Sequence, residues 1–268
     1  MRALLVTLAL LLSAPAWGQD TVFRGVGTRG PKPWGSVGTI LTANSAASSA
    51  TTWAPVTSAQ LDSGNVGVCI VAKDETGSGT TDGTGNAQFT SVADAAGNTW
   101  VEAYEWCNMQ SSTVANGACV AIYYTKATAN LASGAAITFT FSAATLVKAA
   151  TCWEFSTTSS SLAVATGSNG LANDGADPGS MTAATTVVQE HLFLRVTACE
   201  TLSTTYTKDA DYSEFTYTSS TYVGANDAAS MGARGEFRIA TEQTSAASDP
   251  GFGTSDDCAS AMIALDSN

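Results

Sequence analysis

Residues 100 to 106, Trp-Val-Glu-Ala-Tyr-Glu-Trp, bring two tryptophans, a tyrosine and two glutamates into one short run. Successive side chains of an extended strand point to opposite faces. On that spacing Trp100, Glu102, Tyr104 and Trp106 share one face, and Val101, Ala103, Glu105 and Cys107 share the other. Aromatic rings stack on pyranose faces and carboxylates accept hydrogen bonds from sugar hydroxyls, so the first face carries the chemistry of a glycan-binding groove. It equally suits a strand whose rings point into a core.

Hydrolysis of a glycoside needs two carboxylates flanking the bond, about 5 to 5.5 Å apart for retention or about 6.5 to 9.5 Å for inversion. Glu102, Glu105 and Glu154 are the strand-borne candidates, but the EAYE stretch lacks the central Asp of the ExDxxE pattern used by β-sandwich glucanases. The single histidine, His191 in VVQEHLFLRV, stands at the mouth of a strand, and no GxSxG motif accompanies it. No catalytic residue is assigned, and the expectation is a protein that is not an enzyme.

Calcium is the cation for which the chain offers ligands, since it takes oxygen donors from loops. KDADYSE supplies Asp209, Asp211 and Glu214, and NDGADPG supplies Asn173, Asp174 and Asp177, neither with EF-hand spacing. Zinc is not expected, because no CxxC or HxxxH spacing occurs. No other cofactor is expected.

The elements that must carry these residues are legible in composition. Of 268 residues 44% are hydrophobic and 13% charged, with a net charge of −12. Eleven Lys plus Arg against 23 Asp plus Glu exclude the concentrated positive charge that nucleic acid requires. The chain starts with a basic Arg2, an apolar run from Ala3 to Leu12, and small residues at Ala16 and Gly18. This is read as a signal peptide over residues 1–18, cleaved before Gln19, with no membrane insertion of the mature chain. The expected location is secreted, extracellular or on the cell surface. Residues 19–50, which include GVGTRGPKPWGSVGT, read as an N-terminal arm or linker.

From residue 51 to 268, short alternating runs rich in Val, Ile, Thr, Phe and Tyr are separated by Gly, Ser, Asn and Asp clusters, an all-β pattern. The segment ADAAGNTW reads as a tight turn before one such run. Two halves, about 51–160 and 175–268, match in order. VGVCIVAK (66 to 73) matches LFLRVTAC (192 to 199), and TWVEAYEW (99 to 106) matches TYTKDADY (205 to 212). CVAIYYTKA (119 to 127) matches TYVGANDAA (221 to 229), AITFTFS (136 to 142) matches EFRIATE (236 to 242), and AATCWEFS (149 to 156) matches ASAMIALD (259 to 266). Trp100 and Trp106 then align with Tyr206 and Tyr212, which favours packing for both tryptophans, whereas Glu102 aligns with Lys208.

Six cysteines in an exported chain point to disulfides. Cys69 aligns with Arg195 and Cys152 with Met262, while the second half has Cys199 four residues later and Cys258 four residues earlier. Facing positions of an antiparallel pair keep a constant index sum, so these opposite shifts stay in register. The expected bridges are therefore Cys69–Cys152 and Cys199–Cys258, between antiparallel first and fifth strands of each half. Cys107 and Cys119 are left to clip a hairpin loop. The expected architecture is a two-sheet antiparallel sandwich with jelly-roll or Greek-key connections, preferred over two tandem Ig-like sandwiches.

Through SVADAAGNTWVEAYEW, ACVAIYYTKATA, AAITFTFSAA and ATCWEFS, with CASAMIALDS near the end, the chain resembles a loose family of repeated β-sandwich modules in secreted bacterial and phage-encoded proteins. The resemblance covers roughly residues 50 to 266 and implies a surface, adhesion or virion-component role with no catalytic residues to carry over. The functional expectation is a secreted non-enzymatic protein that forms or decorates an extracellular assembly, its partners being its own copies or a surface glycan. The alternatives are a phage tail or capsid decoration protein and a β-jelly-roll glycoside hydrolase.

Overall fold

A computed structural model of the chain describes residues 34–46, 49–74, 87–108, 117–165, 169–173, 179–200, 206–216, 218–220, 231–252 and 258–267. The described residues are all-β. In chain order the strands are β1 (Trp34–Ser45), β2 (Ala50–Trp53), β3 (Val66–Asp74), β4 (Phe89–Asp94), β5 (Val101–Cys107), β6 (Ala118–Lys126), β7 (Ile137–Thr145) and β8 (Lys148–Thr157). They continue with β9 (Leu162–Val164), β10 (Asn169–Asn173), β11 (Met181–Cys199), β12 (Tyr206–Thr207) and β13 (Ser213–Glu214). The last are β14 (Thr218–Ser220), β15 (Met231–Ser248), β16 (Gly251–Phe252) and β17 (Cys258–Ser267).

Two large antiparallel sheets dominate. One runs β1-β8-β3-β6-β5 and the other β10-β17-β11-β15-β13, with β14 also on β15 and β9 also on β17. The central strands read as near-continuous apolar runs because both of their faces are covered. Val66, Val68, Ile70 and Ala72 of β3 point one way, into a core completed by Leu192, Leu194, Val196 and Ala198 of β11 and by Ala259, Ala261, Ile263 and Leu265 of β17. Cys69 and Val71 point the other way, into a second core. That core is roofed by the small sheet β2-β7-β4, which contributes Val92, Phe139 and Phe141. On the far side of the second large sheet, Phe193, Met262 and Ala264 pack with Met181, Ala183 and Ala246 in a third core. Met181 and Ala246 belong to the distal ends of β11 and β15, beyond the register shifts between Ala184 and His191.

Three disulfides join neighbouring strands within the large sheets: Cys69–Cys152, Cys107–Cys119 and Cys199–Cys258. Their registers follow the index-sum relation. Cys69 faces Cys152, Cys199 faces Cys258, and Arg195 faces Met262.

Other expectations are corrected. Within residues 19–50, Trp34–Ser45 form β1, hydrogen-bonded along β8 at the edge of the first large sheet, so the folded body begins before residue 51. EFRIATE does not take the place of AITFTFS. Residues 236–240 pair with β11 as β6 pairs with β3, whereas AITFTFS lies in the separate β2-β7-β4 sheet. TYTKDADY is a strand only at Tyr206–Thr207, which pairs with β16. TYVGANDAA, residues 221 to 229, lies outside the described residues.

Candidate functional site

The run Trp100 to Trp106 does not present one aromatic and acidic face. A register shift between Glu102 and Tyr104 inserts an extra residue into β5 against β6, and such a bulge breaks the two-residue alternation. Trp100 consequently packs on the core under β2-β7-β4, whereas Tyr104 and Trp106 pack on the core between the large sheets. The Tyr104 and Trp106 rings stack with centroids 6.3 Å apart. Trp106 also closes against Gly170 of β10, where an added Cβ would come within 2.0 Å of its ring.

The ADAAGN turn before β5 is built around Asp94, and Gly97 takes a positive φ of 77° there. The Asp94 carboxylate accepts hydrogen bonds from the backbone N–H groups of Ala96 (2.9 Å) and Asn98 (3.1 Å) and from Trp100 Nε1 (2.9 Å). This carboxylate shapes a turn and anchors an indole.

Each of the three glutamates considered for glycoside hydrolysis accepts hydrogen bonds from the chain, and Glu102 lies close enough to Glu105 to act on its charge. Exposed Glu102 accepts from the Tyr123 hydroxyl at 2.7 Å. Burial, then this hydrogen bond, pushes the phenol far above its ordinary pKa. Buried Glu105 accepts from the N–H groups of Gln88 (2.9 Å) and Phe89 (3.1 Å). Buried Glu154 accepts from Asp62 N (2.9 Å) and Asn65 Nδ2 (2.7 Å), fastening the turn before β3 to β8. Carboxylates on strands thus satisfy loop backbone donors that would otherwise be buried without a partner.

His191 has a nucleophile-like connectivity. Its Nδ1 lies 2.6 Å from Asp266 Oδ1 and its Nε2 lies 3.1 Å from Thr185 Oγ1. All three residues are buried, and the line links β17 to the distal part of β11.

The calcium candidates do not converge. The Asp209 carboxylate accepts from the N–H groups of Asp211 (3.3 Å) and Asp249 (3.1 Å), and Asp211 lies 3.4 Å from Arg238 Nη1. Among the described residues no group of three acidic, histidine or cysteine side chains could hold a metal ion. Asp174 and Asp177 lie outside the described residues, and of Asn173 only the strand position is described.

Two of these acidic residues instead line a cleft. It has a volume of about 670 Å³ and opens at the edge between the two large sheets. From the first sheet it takes Ser36 of β1 and Trp153 of β8. From the second side come Ser213 and Glu214 of β13, Asp211 of the preceding turn, and Phe237, Arg238 and Ile239 of β15. Trp153 is half-buried and held from several directions. Its Nε1 donates to Ser36 Oγ at 2.9 Å, and its ring meets those of Phe215 and Phe237, each with centroids 5.6 Å away. Partial burial raises the Glu214 carboxyl above its ordinary pKa, with Arg234 opposing the rise and Glu236 adding to it.

The two large sheets share a register at this edge. In the first sheet a row of facing residues runs Cys152, Cys69, Tyr123, Glu102. In the second the corresponding row runs Met262, Arg195, Glu236, Glu214. Glu214 and Glu102 therefore occupy corresponding places on β13 and β5. The 7-residue β5 carries on to Tyr104 and Trp106, which pack toward β10. In the second sheet the edge also continues past Glu214: Phe215 N donates to the Gly235 carbonyl (2.8 Å) and β14 resumes the pairing with β15 after a shift of register. Trp153 was missed because CWEFS has the alternation of any core strand.

Fold and cleft together define a class: an all-β, antiparallel, disulfide-bonded protein of a non-reducing environment, with an open aromatic and acidic cleft at a sheet edge. Comparison with protein-family models, with curated proteins and with solved structures finds no match to this chain. No helix among the described residues is long and apolar enough to cross a membrane.

Proposed function

We propose that the chain is an exported, non-enzymatic β-sandwich protein that binds glycans through the cleft at Trp153 and serves in an extracellular or surface assembly. The observation that carries the reading is the lining of the cleft. A pinned indole offers a flat apolar platform, and Asp211, Glu214, Arg238 and two serines around it supply acceptors and donors for hydroxyls. Binding sites of this kind combine an aromatic body with a few placed polar groups.

Export is supported by the leader-like first 18 residues and by three disulfides, which persist in oxidising compartments. Descent from a duplicated sandwich module of the repeated surface type is supported by the matching five-strand orders of the two large sheets and by the aligned rows through Cys69 and Arg195. On this reading each half is a sandwich of a large sheet with a smaller covering layer, and the halves face one another across the central core.

A glycan array probed with the wild-type protein and with Trp153→Ala tests the proposal. Binding to a restricted set of glycans, lost in the variant while it remains folded, is the expected result. An empty array, or binding that is indifferent to Trp153, would overturn it.

A further inference from the structure

We infer that the cleft selects uncharged hexopyranose chains and discriminates against uronate or sulfate glycans. This rests on reading the cleft as a sugar site. The charged groups that line the cleft already answer one another. Arg238, the cation among the lining residues, lies 3.4 Å from Asp211. Glu214 feels Arg234 and Lys208 on one side and Glu236 on the other. Arg234 itself lies over the Tyr206 ring, 5.1 Å from its centroid.

An incoming carboxylate or sulfate would have to take Arg238 away from Asp211 or lie beside two carboxylates without a counter-charge. It would also approach a chain of net charge −12, a penalty felt within the screening length of the solvent. A neutral hydroxyl faces neither obstacle. A carboxylate oxygen engaged with a guanidinium keeps further lone pairs, and the guanidinium keeps further N–H donors. Sugar hydroxyls can therefore join the existing pairs without breaking them, while a pyranose face lies on Trp153.

The test uses matched β-1,4-linked hexamers at low salt, with binding read by calorimetry and by tryptophan fluorescence. Cellohexaose and mannohexaose are compared with their C6-oxidised uronate forms. A neutral hexamer is expected to bind at least tenfold more tightly than its uronate counterpart. Asp211→Asn, which releases Arg238, is expected to improve uronate binding at least tenfold relative to the neutral chain. Charged hexamers that bind as tightly as neutral ones would overturn the selectivity and leave the glycan reading standing. If no hexamer of any charge binds, the glycan reading falls and the selectivity with it.

Discussion

Arg195 and Glu236 face one another across β11 and β15, and neither side chain reaches solvent. Arg195 donates from Nη1 to the Ser248 carbonyl (2.8 Å) and from Nη2 to the Gly179 carbonyl (2.9 Å). Glu236 accepts from Asp209 N (2.9 Å), from the Tyr206 hydroxyl (3.0 Å) and from the Ser248 hydroxyl. The pair thus fastens the outer layer of the second half to its large sheet, at the row where the first half has Cys69 and Tyr123. Leaving buried hydrogen-bond acceptors without their donor costs about 1 to 3 kcal/mol. Arg195→Met is expected to lose that much in urea unfolding. A loss under about 1 kcal/mol would show that Arg195 does not hold this layer.

The disulfides should differ in worth in a predictable order. In the chain-entropy model a cross-link stabilises by restricting the unfolded chain, more so for longer loops. The Cys107–Cys119 bridge spans 12 residues, Cys199–Cys258 spans 59 and Cys69–Cys152 spans 83. The model gives about 3 kcal/mol for the shortest and roughly 4 to 4.5 for the other two. Paired Cys→Ala variants compared by denaturant midpoint should place the 107/119 pair as the mildest. A larger loss there than for the 69/152 pair would mean that native packing, not loop entropy, sets the ranking.

Some of this was readable before the structure and some was not, for physical reasons. Strand alternation in residues such as Val66, Val68 and Ile70 reflects burial directly, and the disulfide pairs follow from the constant index sum of an antiparallel ladder. The bulge in β5 leaves no mark, because Ala103 is as ordinary in a regular strand as at an irregular one, yet it sends Trp100 and Trp106 to different cores. EFRIATE and AITFTFS look alike because any two half-buried strands do; only their partners, β11 and the β2 and β4 pair, tell them apart. KDADYSE and WVEAYEW drew attention separately, as metal ligands and as a sugar face. They meet corresponding edge positions of the two sheets, at Glu214 and Glu102, which only the strand registers reveal.

Glu105 gives the fold a pH signature. Burial raises its carboxyl above the ordinary range, the Gln88 and Phe89 N–H groups oppose that rise, Glu102 adds to it and Lys73 opposes it. A folded-state pKa above the unfolded value means that the folded chain holds the proton more tightly. The contribution is fully present below the unfolded carboxylate pKa and is lost as pH rises through the raised value. Glu105→Gln lacks this titration. Taking neutral to mildly acid pH stepwise, the stability of wild type relative to Glu105→Gln should increase as the pH falls. A difference in melting temperature that stays constant with pH would contradict the burial-driven shift.

Trp106 and Gly170 should behave as a coupled pair. The absence of a Cβ at Gly170 is what lets β10 approach the indole, since an added carbon would lie 2.0 to 2.5 Å from three ring atoms. Trp106 Nε1 is buried with no hydrogen-bond partner among the described residues, so its indole acts by filling space. Overpacking costs typically 1 to 3 kcal/mol and removal of a packed tryptophan about 3 to 5, with Trp106 toward the lower figure because it is half-buried. Gly170→Ala alone should therefore destabilise by about 1 to 3 kcal/mol, but far less in a Trp106→Ala background, where the clashing ring is gone. That non-additivity is the coupling a double-mutant cycle measures. Trp153 lies on β8, away from β10, and Trp153→Ala should show no coupling to Gly170→Ala. Additive losses for Trp106 and Gly170 would mean that the edge at β10 is not closed by their contact.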